Sequence, residues 1–263
     1  MQIEALKKEI KKNYGKIALA GNASNACCNP SQEICCDDTD NISKEQLSSI
    51  IGYNTTDLKS IPEESILGLG YGAPLNFVNI QSGETLVDLG SGAGIDVFLA
   101  SKLVGNEGKG IGVDLTDEML DKARKVASKN NYENVEFRKG DIEDRIPIEN
   151  NSIDVVIGNC VINLTSNKTN TFKEVYRILK KGGTGRMIIS DLITTKEISK
   201  DDIKSNEWCS CIDGALTKAN YIKSIEDAGF QNIEVVNEKN YMDESNFSDG
   251  RKFVSITVRA ITN

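Results

Sequence analysis

The stretch VDLGSGAGID, residues 87–96, leads from an apolar run into a helical one through a turn bearing Gly90, Gly92 and Gly94. Glycines there let the chain bend tightly and bring backbone N–H groups close to a ligand. The dinucleotide fingerprint asks for G-x-G-x-x-G, and Ile95 holds its last position, so a nicotinamide cofactor fits imperfectly. A tight strand-to-helix turn without any ligand accounts for the same residues, so the surrounding pattern has to decide.

Outward from this turn, short apolar runs alternate with amphipathic ones. TLVDLG, KGIGVDL, NVEFRKGD, SIDVVIGNC and GRMIISDL read as strands, and GIDVFLASKLVG, DEMLDKARKVASKNN and TNTFKEVYRILKKGG as helices. Apolar strands alternating with helices predict a mostly parallel sheet with helices on both faces, an α/β Rossmann-like arrangement. NIEVVNEKN and RKFVSITVRAI alternate more clearly and predict an antiparallel C-terminal addition. Residues 1–65 read as an N-terminal extension: a charged helix, the loop-like segment GNASNACCNPSQEICCDD and a short helix in SKEQLSSII. Residues 66–195 then form the core, and residues 196–263 a C-terminal substrate-binding segment with the edge strands.

A net charge of -8 on 263 residues argues against a nucleic-acid partner, which needs clustered Lys and Arg. MQIEALKKEIKKNYG lacks the apolar centre of a signal peptide, and no run approaches the roughly 18 apolar residues of a membrane helix. The expectation is a cytoplasmic protein with no membrane partner. Seven cysteines, an odd number, then suit thiol ligands or redox groups better than a disulfide framework. Histidine is absent, which removes Cys/His zinc sites, Ser/His/Asp triads and imidazole acid–base chemistry together.

Asp114 ends the second strand, where a carboxylate can accept hydrogen bonds from both ribose hydroxyls, and Asp141 and Glu143 follow the third. These acidic loops suit a cofactor that carries positive charge rather than an exposed phosphate. Cys160 follows the apolar part of the fourth strand beside Asn159, at the rim of the same edge. Cys209 and Cys211 in WCSCIDGAL share one face if the segment is extended and diverge by about 200° if it is helical. Cys27-Cys28 and Cys35-Cys36 are adjacent pairs, too close for an unstrained bridge, and C-x2-C zinc spacing is missing. Thiols without imidazole suggest a soft, thiophilic substrate.

DLGSGAGID, GVDLTDEML, GDIED and LKKGG together resemble the class I S-adenosylmethionine-dependent methyltransferases from about residue 85 onward. NCVINL, CIDGAL, RKFVSITVRA and the early NYGKIA narrow the resemblance to the arsenite S-adenosylmethionine methyltransferases. The resemblance implies a class I methyltransferase fold and a cofactor site of Asp88, Gly90, Ser91, Gly92, Gly94, Asp114, Leu115, Met119, Ile142, Glu143 and Asn159. In it Asp114 holds the ribose, while Met119, Ile142 and Glu143 flank the adenine; Met119 fits an ordinary core position equally well.

By the same resemblance Cys160 and Cys211 bind trivalent arsenic, and the activity is arsenite methylation and detoxification. GLGYGAP places Tyr71 where the family commonly has a further substrate cysteine in Gly-Cys-Gly. The third arsenic ligand is then a small thiol such as glutathione, Cys209, or one of Cys27, Cys28, Cys35 and Cys36. The implied partners are arsenite or a trivalent methylarsenical, small thiols and an external reductant of glutathione or thioredoxin type, acting on a monomer. Two other readings stay open: a methyltransferase for another small molecule, and a non-catalytic arsenic-binding protein.

Overall fold

The structure, a computed structural model, describes residues 3–20, 43–199, 202–242 and 249–263. Seven strands form one sheet: β1 (Thr85–Leu89), β2 (Lys109–Asp114), β3 (Val135–Lys139), β4 (Val155–Asn159), β5 (Arg186–Thr194), β6 (Gln231–Met242) and β7 (Phe253–Ile261). Their order is β3-β2-β1-β4-β5-β7-β6, parallel from β3 to β5, with β7 antiparallel to both neighbours. β1 and β4 are apolar on both faces because both faces are covered: Leu86, Val87, Leu89, Val155, Val156 and Ile157 are fully buried.

The period-2 rule separates the two layers. Val87 and Leu89 pack into a core with Phe172, Val175 and Ile178 of α6 (Lys168–Ile178) and Tyr221 and Ile225 of α8 (Lys218–Glu226). Leu86 points the other way, to Ala100 of α4 (Ile95–Val104). On that second face α4 and α5 (Asp117–Lys129) bury Val97, Phe98, Leu120 and Ala123 against Phe137.

The N-terminal segment is more than a tether. Helix α1 (Ile3–Ala20) buries Leu6 and Ile10 against Trp208 and Cys209 of α7 (Ser205–Cys209), and Ile17 against Leu67 and Met119. Helix α2 (Lys44–Ile51) starts at a capping box in which Ser43 Oγ accepts from Gln46 N at 3.2 Å and Ser43 N donates to Gln46 Oε1 at 2.7 Å. Tyr53 and Leu58, the latter in α3 (Thr55–Leu58), then anchor this segment in the α4–α5 core. Among the described residues no helix is long and apolar enough to cross a membrane.

Strand order reverses between β1 and β4, so the chain leaving β1 at Gly90 and the chain leaving β4 at Asn159 part to opposite sides and open a crevice. Gly112 on β2 supports its floor: a Cβ there would lie 2.6 Å from Ser91 Oγ and 2.7 Å from Phe137 Cδ1. Gly112→Ala should therefore push the glycine turn out of place and cost about 1–3 kcal/mol, seen as a fall of several degrees in thermal midpoint. An unchanged midpoint would show that the turn does not lean on β2.

Candidate functional site

The glycine turn is fixed from below. Gly90 N and Ser91 N donate to Val113 O at 2.8 and 3.2 Å, and Gly90 takes a left-handed φ of 66°. A Cβ at Gly90 would strike the Val161 side chain. Asp114 holds the turn from β2: Oδ2 accepts from Gly92 N at 2.9 Å and Oδ1 from Thr116 N at 2.8 Å. Those two N–H groups partly offset the burial that raises the Asp114 carboxyl.

Two clefts meet at this turn. The first, of about 630 Å³, has Asp114, Leu115, Ile142 and Glu143 on its sheet side, and Lys7, Ile10 and Tyr14 of α1 across from them. Lys7 Nζ closes it with an ion pair to Asp141 at 2.7 Å, with Glu143 at 3.7 Å, and the two carboxylates hold the Lys7 ammonium above its usual range despite burial. The second, of about 1180 Å³, has Tyr53, Asp88, Asp96 and Asn159 at its base and Tyr71 and Tyr241 among its walls. Gly90, Tyr14 and Cys160 border both. Gly94 caps α4, and Met119 lines neither cleft; it is 1% exposed and packs with Ile17, Ala18 and Leu67.

The second cleft has an acidic base. Tyr53 Oη donates to Asp96 Oδ2 at 2.7 Å and accepts from Asn159 Nδ2 at 3.1 Å. Burial pushes the Asp96 carboxyl up to about 7, an effect moderated by the Tyr53 hydrogen bond. Burial also lifts Asp88, and the neighbouring Asp96 and Asp114 charges add to it. Asp96 Oδ1 and Ser91 Oγ are buried without a hydrogen-bond partner among the described residues. Such a base accommodates a ligand that brings positive charge and donors, which fits the expected cofactor.

The thiols stand at the far side of the crevice. Cys160 and Cys211 both adopt left-handed backbone, φ 59° and 63°, which non-glycine residues rarely take. Their Sγ atoms lie 2.7 Å apart, and Cys211 Sγ donates to Cys160 O at 3.1 Å. Cys160 is held through its N–H to Ser190 O at 2.8 Å, and Cys211 through its N–H to Trp208 O at 2.9 Å. The ligand atoms of Cys160, Cys211 and Asp191 all lie within 4.8 Å of one another, the one such cluster among the described residues. Asp191 is turned partly to the backbone, accepting from Asn163 N and Leu192 N at 3.1 Å each. Burial raises the Cys211 thiol. Beside it the buried Lys168 ammonium is depressed by desolvation, an effect that Asp191 opposes.

Cys209 and Cys211 follow neither of the two regular geometries. Cys209 is the last residue of α7 and Cys211 lies in the turn beyond, so Cys209 packs with Leu6, Ile10 and Trp208 while Cys211 meets Cys160. Tyr71 sits over this turn: its phenol donates to Ser210 O at 2.9 Å, and its ring meets Tyr241 edge-on with centroids 4.6 Å apart. Asn159 braces the same loop, its Oδ1 accepting from Tyr71 N at 3.0 Å and Gly72 N at 3.2 Å. Cys27, Cys28, Cys35 and Cys36 lie outside the described residues. Sequence reasoning assigns no role at the site to Tyr53, Asp96, Lys7, Tyr14 or Asp191, although Asp96 lies in the glycine stretch, Tyr14 in NYGKIA and Asp191 near the end of the strand GRMIISDL.

Residues 80–229 match the Methyltransferase domain family. An arsenite methyltransferase of Halobacterium salinarum is 38% identical over 239 residues, 88% of this chain and 59% of that protein. An arsenite methyltransferase of Rattus norvegicus is 32% identical over 224 residues, 80% of this chain and 54% of that protein. The chain thus spans little more than half the length of these curated relatives. The crystal structure of an arsenic(III) S-adenosylmethionine methyltransferase from Chlamydomonas reinhardtii superposes with a TM-score of 0.63 at 29% identity, covering 81% of this chain and 72% of that one.

The acidic base has a measurable consequence. A carboxyl whose folded pKa lies above its unfolded value binds an extra proton in the folded state, so its contribution is full below about pH 4 and is lost as pH rises to about 7. No histidine titrates in that interval. The ligand-free protein should therefore lose thermal stability between about pH 5 and 7.5, and Asp96→Asn should lose less, with the buried Asp191 keeping its share. Equal slopes for the two proteins would show that Asp96 is not held protonated.

Proposed function

We propose, for a chain that belongs to the Methyltransferase domain family, that it transfers methyl groups from S-adenosylmethionine to trivalent arsenic held by Cys160 and Cys211. The observation that carries this reading is the pair of left-handed cysteines whose sulfurs meet at the crevice between β1 and β4. Two thiols placed for one soft ion, with Cys160 at the border of both clefts and Cys211 buried behind it, suit a thiophilic substrate. The likeness to arsenite methyltransferases over most of the chain supports the same substrate.

When bound, S-adenosylmethionine would supply an electrophilic methyl group to the arsenic lone pair, with the sulfonium sulfur leaving as the neutral thioether. Asp114 is the ribose acceptor, and Leu115 and Ile142 are the apolar walls for the adenine. Cys160 and Cys211, as thiolates, hold arsenic with its lone pair free. Positioning of this kind is worth roughly 7–11 kcal/mol when the reactants are close and aligned. No general base is needed, since thiolate-bound arsenic has no proton to lose, and the chain without histidine supplies none of the usual kind.

Methylation raises arsenic formally by two electrons, and thiols of glutathione or thioredoxin type return them by forming a disulfide. The third arsenic ligand is a small thiol or one of Cys27, Cys28, Cys35 and Cys36, since the Tyr71 phenol is engaged with Ser210 O and Cys209 is packed against α1. In this division residues 66–195 carry the cofactor and residues 196–263 bring Cys211 to it. A reducing cytoplasm, with the chain acting as a monomer on arsenite or a trivalent methylarsenical, keeps these thiols available.

Incubation with arsenite, S-adenosylmethionine and excess thiol, read by mass spectrometry of the arsenic species, should show methylated products. Cys160→Ser and Cys211→Ser should each cut them by at least about 100-fold and leave cofactor affinity within about 2-fold. Undiminished methylation by both variants would sink the thiolate mechanism.

A further inference from the structure

Resting on the methyltransferase reading above, we propose that helix α1 positions Cys211 for the reaction, through Leu6 and Tyr14, once the nucleoside end of the cofactor fills the first cleft. Cys211 is tied to α7, its N–H donating to Trp208 O at 2.9 Å and the next N–H, of Ile212, to Glu207 O at 3.0 Å. With five residues α7 falls far short of the roughly 12–15 at which a helix stands alone, so it depends on what covers it. The cover is α1: Leu6 and Ile10 pack against Trp208 and Cys209, and Tyr14 Oη donates to Cys209 O at 3.2 Å.

The same helix roofs the first cleft, where Lys7, Ile10 and Tyr14 stand opposite Leu115 and Ile142 across about 630 Å³. Its C-terminal half is anchored. Ile17, 1% exposed, packs with Leu67 and Met119, and Gly15 lies so close to α5 that a Cβ would meet Glu118 Cδ at 3.0 Å. The N-terminal half is held over the cleft by the Lys7–Asp141 pair, whose two side chains are both partly solvated and so bind each other only weakly. A nucleoside that gives Ile10 and Tyr14 apolar partners from below therefore favours the position of α1 in which α7 is covered.

A plain cover for α7 needs only Leu6 and Ile10. It does not account for Tyr14, which borders both clefts and packs in two separate apolar groups, one with Leu6 and Trp208 and the other with Ile17 and Met119. One ring thus joins the cleft, the anchored half of α1 and the helix that carries Cys211. Filling of the cleft and order in the Cys211 turn then share one free-energy change, and by linkage each favours the other. The competing route is direct contact between cofactor and turn, since Cys209 and Ser210 line the second cleft. Leu6 separates the two routes, because it packs on α7 and lines neither cleft.

Hydrogen exchange of residues 205–213 in the full chain without arsenic, with S-adenosylhomocysteine as the probe, reads the order of the turn directly. Saturating probe should slow exchange there by at least about 5-fold in the unaltered protein, by less than about 2-fold in Leu6→Ala, and by an intermediate factor in Tyr14→Phe. Calorimetry on the same samples should find the probe bound by each variant within about 3-fold of the unaltered affinity, which also reports that the variant is folded. Tyr14→Phe keeps the ring and loses only the hydroxyl, so it carries the comparison if Leu6→Ala does not fold. Slowing that is undiminished in the variants would assign the effect to direct contact, and no slowing in the unaltered protein with probe bound would show a turn already set; either overturns the proposal and leaves the methyltransferase reading standing. If the unaltered protein does not bind the probe, that reading falls and the proposal falls with it.

Discussion

The reversal of strand order between β1 and β4 is the constraint on which the rest of this molecule depends. Parallel strands deliver their C-terminal ends to one edge, and only at the reversal do adjacent chains depart in opposite directions and leave room for a ligand. Gly90 leaves β1 and Cys160 follows β4, so the glycine turn and Cys160 become neighbours through topology alone. A Cβ at Gly90 would strike Val161, the residue after Cys160, which shows how closely these two departures approach each other. Everything else at the site is brought to this line: Asp114 from β2, Cys211 from the turn after α7, and Tyr53 from the segment before α3.

The site is costly to the fold. Buried carboxyls lie at its base with no lysine or arginine among the described residues acting on Asp88 or Asp96, and two cysteines hold backbone conformations that cost on the order of 1–3 kcal/mol each. The surrounding structure carries that cost through a deep apolar core on the α6–α8 face and through hydrogen bonds that leave the loops little choice. Asn159 shows the principle, since one amide ties Tyr53, Tyr71 and Gly72 together at the end of β4. Arg251 does similar work on the opposite side, where its buried pair with Asp213 at 3.0 Å steadies the turn that carries Cys211.

Much of this was legible in the sequence. The apolar strands, the helices between them and the ends at Gly90, Asp114 and Cys160 are local patterns, and a local pattern survives folding when both faces of a sheet are buried. Cys160 and Cys211 could be named from motifs, but their meeting at 2.7 Å is a long-range fact that no spacing encodes. Met119 shows the converse case, a residue whose helical position suited adenine and core alike and whose side chain packs in the core behind the second cleft, lining neither cleft. Tyr53 and α1 were hidden for another reason: their roles arise from where the N-terminal segment docks, and amphipathic spacing says that a helix buries a face without saying against what. Asp96 lay in plain view, yet an acid in a first helical turn has an ordinary explanation until its unfilled oxygen is seen.

The central claim is that Cys160 and Cys211 share one trivalent arsenic atom facing the crevice. Arsenic K-edge X-ray absorption of the protein loaded with one equivalent of arsenite tests it most directly, because it counts sulfur neighbours of the metalloid itself. The account predicts sulfur coordination that loses a neighbour in Cys160→Ser and again in Cys211→Ser. Oxygen-only coordination, or a sulfur shell unchanged in both variants, would contradict it.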